Sequence, residues 1–295
     1  MDDHVLVQAM LAEHANVAEL KFNITARHGG DTHRSYRAAI NGSIDGHDCV
    51  FVKVNDLRQA NVLQSEFKSL QLINNLQLSG YPKPLVFKTD HRNCYLVMTY
   101  HDLTPLNENS SAQLGEILAE QHRQTAEIFG WELDNYIGLS LQKNTRSKSW
   151  LEFYREQRLG YQLELAIING LNSELVKQIQ NIQASIESYF VGYEPIPSLL
   201  HGDLWSGNTS FDQTTSRPLL YDPAPYYGDR ETDIAMTELF GRFPESFYQA
   251  YHQAYPLHQG YEKRKPLYNL YHALNHFNLF GKGYTNMVSS LLPEL

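Results

Sequence analysis

The sequence predicts an α+β fold in which a small antiparallel sheet with one helix precedes a larger, mainly helical region. Turn residues separate strand patterns in the first 100 residues, and the run Cys49–Val54 is rich in β-branched residues. From about residue 101 onward, apolar residues recur every three or four positions, which is typical of helices. This change of pattern predicts a hinge near Thr99–Thr104 between two regions, residues 1–100 and 101–295.

The elements of the first region follow from local patterns. We expect a helix over residues 2–20, turns at Asn41-Gly42 and Asp45-Gly46, and a second helix from about Gln59 to Asn74. The apolar residues of that second helix recur at spacings of four, three and three, so that they share one face. Strands are expected at residues 22–26, 36–40, 49–54, 84–87 and 95–98.

The second region is predicted to be helical apart from a loop-and-strand segment over residues 199–221. Ser110 and Ser111 are the expected caps of its first helix. The concentration of Tyr and Phe in the last fifty residues is typical of a packed core. Helices are expected over residues 110–129, 150–168, 171–189, 232–240, 244–254, 261–280 and 285–292.

Composition excludes several classes of protein. The 295 residues carry 24 Lys and Arg against 33 Asp and Glu, a net charge of −9, which argues against a general nucleic-acid binder. No run approaches the roughly 18 apolar residues of a membrane span, and Met1–His4 does not resemble a signal peptide. Two cysteines build neither a disulfide framework nor a structural zinc site, so a cytoplasmic location is expected.

The strongest chemical motif is the segment His201–Asn208, read as HGDLWSGN. Its Asp203 and Asn208 are five positions apart, the spacing of the catalytic loop H-x-D-x-x-x-x-N of protein kinases. In that chemistry a carboxylate orients the acceptor hydroxyl, while an amide oxygen holds a metal on the phosphates. The alternative interpretation is a polar turn that follows a buried histidine.

Two further signals fit the same chemistry. Asp222 closes the apolar run 219–221 fourteen residues after Asn208, where kinases place a second Mg²⁺ ligand. Lys53 interrupts an apolar strand, and Glu66 on the following helix is its predicted partner. Taken singly, these residues are also compatible with a turn, an edge-strand lysine and a solvated carboxylate.

Two weaker patterns also have a simpler structural interpretation. Gly29 and Gly30 lie between two strands, where backbone N–H groups would contact phosphate oxygens, although a plain hairpin is the simpler interpretation. His272 and His276 have metal-ligand spacing on a helix, but a third ligand is missing nearby in the sequence, so packing is expected.

The motif at 201–208, together with Tyr221–Ala224 and Gly228–Glu231, resembles the fructosamine/ketosamine kinase family, a branch of the aminoglycoside-phosphotransferase-like, protein-kinase-like fold. The resemblance covers nearly the whole chain. Other matching segments lie at residues 51–55, 129–138, 150–159 and 270–281. It implies a two-lobed protein with an N-terminal ATP-binding lobe and a C-terminal catalytic and substrate lobe.

The resemblance also implies roles for single residues. Asp203 matches the catalytic aspartate, Asn208 and Asp222 match the Mg²⁺ ligands, and Lys53 with Glu66 matches the pair at the ATP phosphates. The hinge against which adenine lies corresponds to Met98, Thr99, Tyr100 and His101. Asp233 corresponds to an aspartate that braces the catalytic loop from behind, His201 supports the same loop, and Trp205 faces the sugar.

The resulting expectation is an ATP- and Mg²⁺-dependent kinase that phosphorylates a hydroxyl, by resemblance the third, of small-molecule or protein-bound ketosamines. The phosphorylated adduct then decomposes, which implies a role in deglycation. One alternative is a kinase of another small acceptor, such as an aminoglycoside, choline or homoserine. A second alternative, a non-catalytic pseudokinase, is disfavoured because Lys53, Asp203, Asn208 and Asp222 are all present.

Overall fold

A computed structural model describes residues 7–12, 22–27 and 33–295 of the chain. Contacts divide the chain into two compact units. Unit 1 comprises Met1–Thr104 and Phe211–Tyr221, and unit 2 comprises Pro105–Ser210 and Asp222–Leu295. The segment Phe211–Tyr221, which the sequence placed in the C-terminal region, therefore belongs to the N-terminal unit.

The strands of the described residues are numbered in chain order. They are β1 (Phe22–Arg27), β2 (Arg34–Ile44), β3 (His47–Asp56), β4 (Pro84–Thr89), β5 (Asn93–Thr99), β6 (Leu103–Thr104), β7 (Asn135–Ile137), β8 (Ser140–Gln142), β9 (Ser198–Leu199), β10 (Thr209–Asp212), β11 (Arg217–Leu220) and β12 (Tyr227–Gly228).

The helices are numbered in the same way, after a helical stretch at residues 7–12. They are α1 (Ala60–Asn75), α2 (Glu108–His122), α3 (Trp150–Phe153), α4 (Tyr161–Ile168), α5 (Ser173–Ala184), α6 (Glu231–Leu239), α7 (Glu245–Ala254), α8 (Tyr261–Phe280) and α9 (Thr285–Leu291). Within the described ranges, every helix is too short or too polar to cross a membrane.

Unit 1 contains a five-stranded sheet in the order β1-β2-β3-β5-β4, with every neighbouring pair antiparallel. The β2–β3 hairpin turns at Asp45 and Gly46, whose φ angles of 49° and 84° give the mirror-image turn that antiparallel strands favour. The turn predicted at Asn41-Gly42 is wrong. These residues lie inside β2, where the register shifts between Ala39 and Ile44 and the strand continues through the irregularity.

The two faces of this sheet bury different side chains, as strand geometry requires. On one face Val50, Val52 and Val54 pack with the helical residues Val7 and Leu11 in a single cluster. The opposite face is covered by α1. Its buried cluster consists of Leu63, Leu70, Cys94, Leu96 and Met98. The predicted sheet and its single inserted helix are thus confirmed.

In unit 2 the first helix differs at both ends from the prediction. Asn107 rather than Ser110 is the N-cap, and Ser110 completes a reciprocal capping box with it. The helix ends at His122 instead of near residue 129, because the following segment makes long-range backbone hydrogen bonds. Phe129 N–H donates to the carbonyl of Ser147, for example, at 2.9 Å.

The predicted helix 150–168 is one continuous helical run, but its middle, Tyr154–Gly160, is a π-helix between α3 and α4. The predicted helix 171–189 is shorter, comprising α5 and a 3-10 turn at Ile186–Tyr189. Helix α8 spans the predicted residues 261–280. The β7–β8 hairpin and β12 were not predicted, since strands of two or three residues carry little pattern.

Aromatic side chains form much of the unit 2 core. The Tyr154 ring lies edge-on to Tyr268, with 5.3 Å between centroids, and Trp150 lies 5.2 Å from Tyr154. Tyr268, Tyr271 and Phe277 of α8 are buried, as the sequence predicted for this tyrosine- and phenylalanine-rich segment.

Candidate active site

The loop His201–Asn208 connects β9 to β10, and its tight turn depends on a glycine. Gly202 has a φ of 84°, a conformation that favours glycine. A Cβ atom at this position would lie 2.0 Å from the carbonyl oxygen of Ala224. Backbone conformation and the close approach of a second segment therefore both require glycine here.

Asp233 holds the start of this loop from behind. One carboxylate oxygen of Asp233 accepts the His201 backbone N–H at 2.6 Å, and the other accepts the Gly202 N–H at 2.9 Å. Burial raises the pKa of Asp233, but hydrogen bonds, first that from His122, outweigh burial and leave the pKa below its usual value. The carboxylate is therefore ionised and makes the contact that the resemblance implied.

Three residues behind Asp233 were missed by sequence reasoning. His122 Nε2 lies 3.0 Å from Asp233, and its Nδ1 lies 2.8 Å from the Tyr251 hydroxyl. Burial lowers the pKa of His122, so the ring is neutral, with Nε2–H donating to Asp233 and Nδ1 accepting from Tyr251. Arg230 in turn donates to the Tyr251 hydroxyl at 2.9 Å. Local sequence carries no signal for this chain of contacts.

Asp203 lies in the loop with its side chain half-buried. The Asn208 side-chain amide donates to the Asp203 carbonyl at 2.8 Å and to its carboxylate at 3.2 Å. Burial, followed by the negative charge of Asp222, raises the pKa of Asp203 from 3.8 to about 7. His201 Nδ1 accepts the Asp203 backbone N–H at 3.2 Å, so the His201 ring contacts the residue two positions after it in the loop.

Asp222 has a φ of 56°, an uncommon left-handed conformation for a residue other than glycine. Its negative charge contributes to the raised pKa of Asp203, and both residues belong to unit 2. The Asn208 side-chain nitrogen donates to Asp203. Among the described residues, no hydrogen-bond donor contacts the side-chain oxygen of Asn208. Carboxylates and an amide oxygen are hard ligands that fit Mg²⁺, and a divalent cation would offset the repulsion between the carboxylates.

The described side chains do not form a complete protein cage for a metal. Within the described ranges, no group of three or more His, Cys, Asp or Glu side chains is arranged to hold an ion. Mg²⁺ in phosphoryl-transfer sites commonly uses one or two carboxylates plus substrate phosphates and water, so Asn208 and Asp222 suit that mode of binding. The paired histidines of α8 pack as predicted. His272 is buried with a pKa lowered to about 3 by burial, and His276 Nδ1 donates to the His272 carbonyl.

Trp205 is the exposed aromatic residue of the loop, with 38% of its surface accessible. Its indole ring covers Gly207, where an added Cβ would lie 2.3 Å from the ring. The ring also contacts Phe240 edge-on, with 6.0 Å between centroids. The indole is therefore fixed at the surface, two residues from Asp203.

The Lys53–Glu66 ion pair lies in unit 1. Lys53 of β3 is 3% exposed, and its ammonium lies 2.6 Å from the Glu66 carboxylate of α1. In the sheet Lys53 pairs with Ser35 of β2 and Leu96 of β5, so the strand fixes its backbone on both sides. The ion pair predicted from sequence is present.

The predicted hinge residues follow the end of the same sheet. Met98 and Thr99 close β5, and Tyr100 and His101 lead toward β6. His101 Nε2 lies 2.9 Å from the Thr99 hydroxyl, and its Nδ1 lies 2.8 Å from Asp212 of β10. His101 therefore joins the hinge segment to the small sheet β11-β10-β6. Gly29 and Gly30, the expected phosphate-contacting glycines, lie outside the described residues.

Comparison with known proteins gives one consistent family. The model of the family described as fructosamine kinase matches residues 5–295. A probable ketoamine kinase of Synechocystis sp. is 41% identical over 252 residues, which cover 85% of this chain and 84% of the relative. The chloroplastic protein-ribulosamine 3-kinase of Arabidopsis thaliana is 39% identical over 247 residues, covering 83% and 75% of the two chains.

Solved structures share the fold. A protein from Haemophilus somnus, named as a candidate fructosamine-3-kinase, superposes with a TM-score of 0.84 at 27% identity, covering 98% of this chain and 96% of that one. An ADP-bound aminoglycoside phosphotransferase superposes with a TM-score of 0.62 at 18% identity, covering 98% and 97%. The latter likeness establishes the protein-kinase-like fold alone, which confirms the fold class predicted from sequence.

Proposed function

We propose that this chain, which belongs to the fructosamine kinase family, transfers the terminal phosphoryl group of ATP to a sugar hydroxyl of a ketosamine. The observation that carries the proposal is that Asp203 and Asn208 contact each other in one loop, with the pKa of Asp203 raised by burial and by the negative charge of Asp222. The similarity to a protein-ribulosamine 3-kinase supports the third hydroxyl of the sugar as the acceptor.

The residues of unit 2 would act on the acceptor and the metal. Asp203, fixed by Asn208 and by the backbone contact with His201, orients the acceptor hydroxyl and takes its proton. Asn208 and Asp222 would hold Mg²⁺, which neutralises negative charge on the phosphates. Asp233 keeps the turn at Gly202 in place, so that Asp203 has little freedom to reorient. Trp205 offers an aromatic face to the sugar.

The residues of unit 1 would act on the nucleotide. Lys53 supplies a positive charge for the ATP phosphates, and Glu66 fixes the direction of that ammonium. Met98, Thr99, Tyr100 and His101 form the segment against which adenine would lie. Gly29 and Gly30 are proposed to contact the phosphates through their backbone N–H groups.

Deglycation is the proposed cellular role, because a phosphorylated ketosamine adduct decomposes and frees the amine. A cytoplasmic location is proposed with it, since ATP is the phosphoryl donor and the two cysteines fit a reducing compartment. Aminoglycoside and choline kinases share the fold at 18% identity or less, which gives no reason to prefer their acceptors.

The test is ATP turnover with synthetic ketosamines of different sugar length, free and attached to a protein, compared with an aminoglycoside and choline. We expect phosphorylation of ketosamines and none of the other acceptors. Asp203→Ala should lower kcat by on the order of 10²–10⁴ while nucleotide binding is retained, because the carboxylate acts on the acceptor side. Turnover of an aminoglycoside or choline in preference to every ketosamine would overturn the proposal.

A further inference from the structure

The segment Asp222–Tyr226 needs support from outside, because its own backbone offers few hydrogen bonds. Its sequence, DPAPY, contains two prolines that lack an N–H donor. The segment begins with Asp222 in a left-handed conformation. This conformation is unfavourable in free energy, and contacts with the surrounding structure must offset that cost. The Ala224 N–H donates to the His201 carbonyl at 2.8 Å.

Two amide side chains of the β7–β8 hairpin hold the carbonyls of this segment. The Asn135 amide donates to the Pro225 carbonyl at 2.7 Å, and the Gln142 amide donates to the Ala224 carbonyl at 3.0 Å. Both amides are buried, so water does not compete for these hydrogen bonds. Side chains more than eighty positions away in sequence thus replace the backbone ladder that the prolines prevent.

The orientation of the Gln142 amide is itself fixed. Tyr271 of α8 donates its hydroxyl to the Gln142 carbonyl oxygen at 2.8 Å, so the nitrogen of the same amide must face Ala224. The Gln142 nitrogen also donates to the Asn135 oxygen at 2.8 Å. Each polar atom of the Gln142 side chain therefore has a partner, and rotation of the amide would break all of these contacts.

Arg158 supports the other end of the segment. Its guanidinium lies 3.9 Å from the centre of the Tyr226 ring and donates to the Asn144 oxygen at 2.7 Å. The Asn144 amide donates in turn to the Asn135 oxygen at 2.9 Å. Arg158 is on the π-helix, a rare local geometry that is frequent at functional sites.

We infer that Gln142 is a positioning residue that sets the metal affinity of Asp222 by fixing the Ala224 carbonyl. The Ala224 carbonyl is the group that approaches Gly202 so closely that only glycine fits, and Ala224 N–H bonds to His201. Ala224 thus joins the segment that carries Asp222 to the loop that carries Asp203 and Asn208. This inference rests on the proposed function, since it assigns Asp222 to the metal.

A purely structural role for Gln142 makes a different prediction. Replacement of a buried glutamine that only packs should lower stability without changing how Mg²⁺ supports nucleotide binding. Gln162 offers the matched control, because it is a buried glutamine in the same unit whose amide donates to Asn275 at 3.1 Å. Its hydrogen bonds join α4 to α8 and do not involve the Asp222–Tyr226 segment.

The experiment compares wild type, Gln142→Met and Gln162→Met by calorimetric titration of ADP at a series of Mg²⁺ concentrations, with thermal melts alongside. We expect Gln142→Met to raise the Mg²⁺ midpoint about tenfold, the usual scale for loss of a residue that orients a metal ligand. Gln162→Met should lower the melting temperature and leave the midpoint unchanged. Tyr271→Phe, which removes one hydroxyl, should shift the midpoint in the same direction by less.

An unchanged midpoint in Gln142→Met, or an equal shift in Gln162→Met, would overturn the inference alone. If Gln142→Met does not fold, an unchanged midpoint in Tyr271→Phe overturns it. A wild-type protein whose ADP binding does not depend on Mg²⁺ would overturn this inference through its assignment of Asp222 to the metal, whereas the proposed phosphoryl transfer is tested separately by ATP turnover with ketosamines.

Discussion

Replacing Asp203 by asparagine should stabilise the protein in the absence of nucleotide and metal, although it removes the proposed catalytic group. Burial and the Asp222 charge raise the pKa of Asp203 from 3.8 to about 7, so its ionised form is disfavoured in the fold. Each unit by which the pKa is displaced corresponds to about 1.36 kcal/mol. The gain in free energy of unfolding from the substitution therefore has an upper bound of about 4 kcal/mol. Because the side chain is only half-buried, solvent screening reduces the expected gain to about 1–3 kcal/mol.

The pH dependence has a definite sign. A carboxyl group whose pKa is raised by folding does not lower the free energy of unfolding at pH values below its unfolded pKa, near 3.8. As the pH rises, the free energy of unfolding falls, until the pH passes the folded pKa of about 7. The advantage of Asp203→Asn over wild type should therefore be full at pH 8 and less than half as large at pH 5. The asparagine oxygen can still accept the hydrogen bond from Asn208.

The assay is urea denaturation of both proteins at pH 5, 6.5 and 8 without nucleotide or divalent cations. Asp212→Asn is the control for the same chemical change. Burial raises the pKa of Asp212, but hydrogen bonds, first that from His101, outweigh burial and lower the pKa, so asparagine should destabilise the protein at pH 8. If Asp203→Asn is less stable than wild type at pH 8, the carboxylates of Asp203 and Asp222 do not repel each other as argued.

Three further predictions concern the proposed site. Asp222→Asn should raise the Mg²⁺ concentration needed for ATP turnover, because an amide keeps an oxygen ligand but loses its charge. Lys53→Met should raise KM for ATP, lower kcat, or both. Glu66→Gln should change the same constants by less, and the double variant should differ little from Lys53→Met, because Glu66 acts only through Lys53. Gly202→Ala should lower the free energy of unfolding, measured by denaturation, by about 2–4 kcal/mol. Gly170 has a similar φ of 80° but open space around it, so Gly170→Ala should lower the free energy of unfolding by about 1 kcal/mol.

Each of these has an outcome that would count against it. An unchanged Mg²⁺ midpoint in Asp222→Asn would place the metal elsewhere. Effects of Lys53→Met and Glu66→Gln that simply add would mean that the two side chains act independently. If Gly202→Ala and Gly170→Ala lower the free energy of unfolding equally, the φ angle alone, and not the nearby Ala224 carbonyl, requires glycine at position 202.

Local sequence determined the elements whose hydrophobic pattern is long and regular. The five strands of the unit 1 sheet, the helix α1 and the long helix α8 were predicted, and apart from β2, which continues to Ile44, their bounds are close to the observed ones. Strand alternation and helical periodicity are properties of neighbouring residues. The segment His201–Asn208 and the pair Lys53–Glu66 were also identified from sequence. Their residue types stand at fixed spacings, or on consecutive elements that a small sheet brings together.

Tertiary structure alone decided the features that depend on distant partners. Helix α2 ends at His122, where its side chain meets Asp233 across 111 positions of sequence, and periodicity carries no record of that contact. The amide of Gln142 reaches the Ala224 carbonyl across 82 positions, from a hairpin too short to be predicted. The raised pKa of Asp203 depends in the same way on burial and on the proximity of Asp222. The sequence identifies the groups that carry charge. Tertiary packing determines which of these charges lie close together and how far water is excluded from them.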